Sequence, residues 1–101
     1  MAKFLVTFQW GEMGQDRESI CEARRALVRW AAKAESALVD IGAPIRSTSI
    51  LTRHGIQDGD ATAAFMGWSV IDAPDYIAAV DLLQDHPLIG LGALLQISEP
   101  I

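Results

Sequence analysis

The segment Gln84-Asp85-His86-Pro87-Leu88-Ile89-Gly90-Leu91-Gly92 holds the side chain best suited to moving a proton. An unperturbed imidazole titrates at about pH 6.5, so His86 can serve as acid or base near neutrality. Asp85 stands beside it, and the C-terminus of a preceding helix favours the charged form. The competing reading is structural: a histidine that caps open helix carbonyls before Pro87 ends the helix. A second group could hold a ligand. Trp10, Trp30 and Trp68 are three tryptophans in 101 residues. Trp30 on a helix and Trp10 at the end of a strand could line one apolar cleft, with Ser47, Ser49, Ser69, Thr7 and Gln9 as polar groups. Core and interface packing is the plainer role for the same residues.

Other candidates point to simpler roles. His54 lies beside Gly55 in a turn and reads as an exposed loop residue. Two histidines and scattered carboxylates give no zinc spacing. Gly90-x-Gly92 lacks a third glycine and precedes a strand, so it is not a dinucleotide or phosphate loop. No cofactor is expected. Cys21 reads as a small packing residue near a buried stripe. Arg24, Arg25, Arg29 and Lys33 could meet an acidic ligand, but at helical spacing they read as a solvated face.

Composition narrows the partners. The formal charge is −5, which disfavours nucleic acid and anionic membranes. No run reaches the ~20 apolar residues of a membrane span, and the first residues do not read as a signal peptide. One cysteine allows no intrachain disulfide, which fits a reducing cytoplasm. The length suits a single domain over residues 1–101. Half of the residues are apolar, which suggests a second buried surface, most simply a homodimer interface.

The elements that must position these groups follow from periodicity. Lys3 to Trp10 alternates, with Phe4, Val6, Phe8 and Trp10 on one face. Asp16 is the expected N-cap of a helix, with Ser19-x-x-Glu22 as an alternative start. Ile20, Ala23, Leu27, Trp30, Ala31, Ala34 and Leu38 form its apolar stripe, and Gly42 and Pro44 end it. Ile45 to Thr52 reads as a second strand, His54 to Asp60 as a turn and Phe65 to Ile71 as a third strand. Asp75 caps a second helix, with Tyr76, Val80 and Leu83 inward, and Ala93 to Ile97 is the last strand. The order β-α-β-β-α-β is that of an α+β, ferredoxin-like subunit. One sheet face takes both helices. The other would be bare in a monomer, and its apolar content suggests a dimeric α+β barrel.

Phe4-Leu5-Val6-Thr7-Phe8, Trp30 with Ala37-Leu38-Val39-Asp40-Ile41-Gly42-Ala43-Pro44, Gln57-Asp58-Gly59, Gly67-Trp68-Ser69-Val70-Ile71-Asp72-Ala73 and His86-Pro87-Leu88-Ile89-Gly90 together resemble the YCII-related (YciI-like, DGPF) family over nearly the whole chain. The resemblance implies a ferredoxin-like subunit pairing into a dimeric α+β barrel. Some relatives in that superfamily act on small aromatic or lactone compounds. The narrower YciI group has a histidine on the first helix and an aspartate before the proline of the last connection. Here the first helix has no histidine, and His86 holds the pre-proline position. Asp58-Gly59 matches only half of the Asp-Gly-Pro-Phe signature.

Two functions therefore stay open. One is a cofactor-free acid–base enzyme for small aromatic, lactone or carbonyl compounds, with His86 and Asp85 catalytic and Trp10, Trp30, Trp68, Ser47 and Ser69 binding the ligand. The other is a non-catalytic dimeric module that binds a small apolar or aromatic ligand or another protein.

Overall fold

The computed structural model describes residues 2–45, 47–58 and 65–101. Strand β1 (Ala2–Gln9) leads into helix α1 (Arg17–Ala34), strand β2 (Leu38–Pro44), the strands β3 (Ser49–Thr52) and β4 (Gly55–Asp58), and strand β5 (Phe65–Ala73). Helix α2 (Tyr76–Leu83), the short helix α3 (Pro87–Gly90) and strand β6 (Leu94–Ser98) complete the chain. One sheet has the order β2-β5-β1-β6, and β3 and β4 pair separately. Every neighbouring pair is antiparallel. This α+β arrangement is compatible with a ferredoxin-like fold.

Strands β5 and β1 form the centre of the sheet, and β1 alternates buried and outward residues. Phe4, Val6 and Phe8 are buried beneath the helices, while Lys3, Leu5, Thr7 and Gln9 occupy the other face. Their partners on β5 keep the same alternation: Phe4 faces Ile71 and Val6 faces Ser69 under the helices, and Leu5 faces Val70 on the open side. Helix α1 lays Ala23, Ala26 and Trp30 on this core, and α2 adds Ala79 and Leu83. Two layers result, which agrees with Cα extents of 40 × 37 × 18 Å. The open face keeps Leu5 42% and Leu94 57% exposed. Among the described residues, no helix is long and apolar enough to cross a membrane.

The caps hold the helix starts where the sequence puts them. Asp16 accepts the backbone N–H of Ser19 at 3.1 Å and its hydroxyl at 2.6 Å. These bonds lower the carboxyl pKa of Asp16 below its ordinary value. Asp75 accepts the N–H of Ala78 at 2.8 Å. The Ser19-x-x-Glu22 start is not used.

Several expectations are corrected. The first helix stops at Ala34, because Glu35 takes a left-handed φ of 47° and its N–H bonds to the Ala31 carbonyl. A 3-10 turn follows, and Leu38 opens a strand. Gly42 is thus within β2, not a helix cap, and Pro44 is tolerated because β2 is an edge strand. Of the second strand expected over 45–52, Ser49–Thr52 is a strand, β3, but it pairs with β4, and the place in the main sheet is taken by β2. The expected turn from His54 contains β4; its Gly59 and Asp60 lie outside the described residues. The true turn is Arg53-His54, where the Thr52 hydroxyl accepts the N–H of His54 at 3.1 Å. Cys21 is exposed instead of packed, and Tyr76 is exposed instead of inward, although its ring lies 6.2 Å from that of Phe4. Ala26 replaces Ala31 on the fully buried helix stripe.

The edge strand is irregular, with register shifts between Leu38 and Asp40 and between Asp40 and Ala43. Such bulges leave backbone groups to be satisfied otherwise. Ser69, 1% exposed on β5, donates its hydroxyl to the Ile41 carbonyl at 2.7 Å. Ser69→Ala is expected to lower stability by about 1–2 kcal/mol in urea titrations, because it strands that carbonyl. A cysteine-sized or apolar replacement that left the midpoint unchanged would show the bond to be dispensable.

Candidate functional site

A cleft of about 380 Å³ opens between α1 and the β2–β5 edge of the sheet. That volume falls within the roughly 300–1,000 Å³ of small-molecule sites. On the helix side it is bounded by Ile20, Ala23, Arg24, Leu27 and Val28; on the sheet side by Ile41 to Ile45, Phe8 and Met66 to Trp68. Trp10 and Leu88 complete it. It exists because Ala23, Gly42, Ala43 and Gly67 are all small, so neither wall reaches the other. Gly67 is small for a further reason: a Cβ there would lie 3.1 Å from the Ala43 carbonyl oxygen. Arg24 is the single charged side chain among the described residues that line it.

The structure separates the sequence candidates into three places. Trp10 and Trp68 line this cleft. Trp30 does not join them. It is buried against His86, with ring centroids 4.5 Å apart, and borders a different, more open groove with Arg29, Lys33, Asp81, Asp85 and Pro87. The single cleft expected to take Trp10 and Trp30 together is therefore not formed. A helix makes one turn every 3.6 residues, so Trp30 points toward α2 and α3 while Ile20, Leu27 and Val28 turn to β2. Ser47 is exposed and outside the lining of both cavities. Ser69 is occupied by the Ile41 carbonyl.

His86 has an environment opposite to the expected one. It is 1% exposed, enclosed by Trp30 and by Phe8, whose ring centroid is 5.5 Å away. It does not cap the helix before it. Its Nδ1 accepts the backbone N–H of Leu88 at 3.1 Å and so N-caps α3, whose first residue is Pro87. A lone pair engaged in this way places the proton of the neutral ring on Nε2, which is buried and has no hydrogen-bond partner among the described residues. Burial pushes the pKa of His86 down to about 4, against the opposing pull of Asp85. The ring is therefore neutral at pH 7, and it lines neither cavity. Asp85 itself is exposed. Of the two glycines after His86, Gly92 serves the turn. Gly92 has a φ of 105°, and a Cβ there would meet Met13 N at 2.9 Å.

Sequence reasoning missed the β2 wall, and it read Arg24 with Arg25, Arg29 and Lys33 as a solvated face, whereas Arg24 lines the cleft. The β-branched Val39 and Ile41 followed by Gly42 and Pro44 were the available signal for an edge strand. Among the described residues, no three His, Cys, Asp or Glu side chains converge on a metal position. Compared with family models and with curated proteins, the chain matches none.

Proposed function

We propose that this chain is a YCII-like, small-molecule-binding protein that works as a homodimer, with the open sheet faces of two copies packed together as an α+β barrel. The observation that carries the binding reading is the cleft between α1 and β2. It is apolar, fits a small molecule and is lined by Trp10. Flat aromatic or other apolar compounds suit such walls. Binding is favoured over acid–base catalysis because the only histidine proposed for proton transfer lies in the core, neutral and outside the cleft. No cofactor is invoked. The open face supports the dimer: Leu5, Val70, Trp68 and Leu94 form an apolar band across three strands, a surface that a two-layer subunit leaves uncovered. An exposed free thiol at Cys21 suits a reducing compartment such as the cytoplasm.

The test pairs 2-naphthamide titration with sedimentation equilibrium. The wild-type chain is expected to bind the naphthamide and to sediment at twice its 10.9 kDa mass. Val28 is 60% exposed at the cleft wall, so Val28→Trp should fill the opening and abolish binding without unfolding. Undiminished binding by that variant moves the ligand elsewhere. A single-chain mass at every concentration removes the barrel.

A further inference from the structure

We infer that the ligand of the cleft is an amphipathic anion: a flat apolar body bearing one carboxylate, whose head group meets Arg24. This inference rests on the cleft being a binding site, and it adds the chemistry of the occupant. Among the described residues that line the cleft, Arg24 is the one charged side chain, and it sits on α1 one residue beyond the buried Ala23. Among the described residues, a ligand seated among Ile20, Leu27 and Trp10 would therefore find one charged side chain to answer, and that charge is positive. The planar fork of an arginine matches a carboxylate in two parallel hydrogen bonds. The sign is also opposite to that of the whole molecule. With a net charge of −5, most of the surface repels an anion, so a cation beside an apolar opening both localises the ligand and fixes its orientation. A cationic amphiphile of the same shape meets like charge at this position and is rejected. Ordinary solvation of the arginine head, with its stem lying along the helix, is the alternative, and it gives no preference between acid and neutral ligand.

The experiment compares 2-naphthoate, ionised at pH 7, with 2-naphthamide, its uncharged counterpart, by isothermal titration of the full chain. The naphthoate is expected to bind about fivefold more tightly, the scale of a partly solvated ion pair. Added salt should weaken the acid and leave the amide unchanged. Arg24→Gln keeps most of the stem and should bring the two affinities together, with its urea midpoint at the wild-type value. Equal binding of acid and amide by the wild-type chain overturns the anion inference and leaves the cleft as an apolar site. An acid preference that survives Arg24→Gln also overturns it. Failure of both probes to bind overturns the cleft reading together with this one.

Discussion

Gly42→Ala is expected to break the edge of the sheet and to lower stability by about 3–5 kcal/mol. Two effects act together. The φ of Gly42 is 75°, in the left-handed region that side chains with a Cβ occupy at a penalty. The new Cβ would also be driven into the backbone carbonyl of Trp68, overlapping both its carbon and its oxygen. A side chain can rotate away from such a contact, whereas a strand carbonyl can move only with its strand. To accommodate the methyl, β2 must separate from β5. That separation takes with it the Ser69 bond to Ile41 and the Ile45 N–H bond to the Met66 carbonyl, at 3.0 Å. The cleft shares this wall, so ligand binding should fall with stability. Gly90 is the control. It has no left-handed φ, and a Cβ added there meets nothing within 4 Å. Gly90→Ala should stay within about 0.5 kcal/mol of the wild-type chain. Urea denaturation of both variants gives the comparison, and a Gly42→Ala midpoint equal to that of Gly90→Ala would falsify the account of β2.

The second large effect belongs to His86. Truncation to alanine removes a buried ring from between Trp30 and Phe8 and also removes the cap of α3. A loss of about 2–4 kcal/mol is expected. The same residue makes stability depend on pH in a defined direction. In the unfolded chain it titrates at about pH 6.5, and in the folded chain at about 4. Between those values the unfolded chain binds more protons, so stability rises with pH there. The contribution is complete above pH 6.5. It fades as pH falls toward 4, for a total change of about 3 kcal/mol. Below that the folded form accepts the proton too, and this residue adds no further slope. Asp85 works against the effect, since its charge favours the imidazolium. His86→Asn separates cap from titration: its amide oxygen can accept the Leu88 N–H, but it does not ionise. The variant should be less stable at pH 7 and should lose the slope between pH 4 and 6.5, so the gap to the wild-type chain narrows as pH falls. A slope that persists in His86→Asn assigns the acid sensitivity to carboxylates elsewhere.

These two residues also show where local pattern stops being informative. His86 next to Asp85 at a helix end reads as a group held charged, because sequence displays its neighbours along the chain. Its environment is instead made by Trp30 from α1 and Phe8 from β1. Desolvation by those rings outweighs the adjacent carboxylate and reverses the direction of the shift. Gly42 before Pro44 reads as a helix ending for the same reason. Ala31, Ala34 and Leu38 continue the helical spacing, and nothing nearby announces that Glu35 turns left-handed. Strand β3 falls within the segment read as a strand from its β-branched residues, whereas β4 was read as a turn because Gly55, Asp58 and Gly59 dominate its composition.

The sequence alone determined what is governed over a few residues. Asp16 and Asp75 start the helices because a carboxylate within three residues of a free N–H caps it wherever the chain goes. Phe4, Val6 and Phe8 face the core because a strand alternates its side chains. Those regularities suffice for an α+β chain whose two helices cover one face of an antiparallel sheet. Only the tertiary structure decided where α1 yields to the edge strand, which tryptophans share a cleft, and that His86 is neutral. Each of these depends on contacts between segments distant in the chain: Gly42 against Trp68, α1 standing off β2, and two aromatic rings closing over an imidazole. Short-range periodicity carries no record of such approaches, because close packing sets them only when the layers meet.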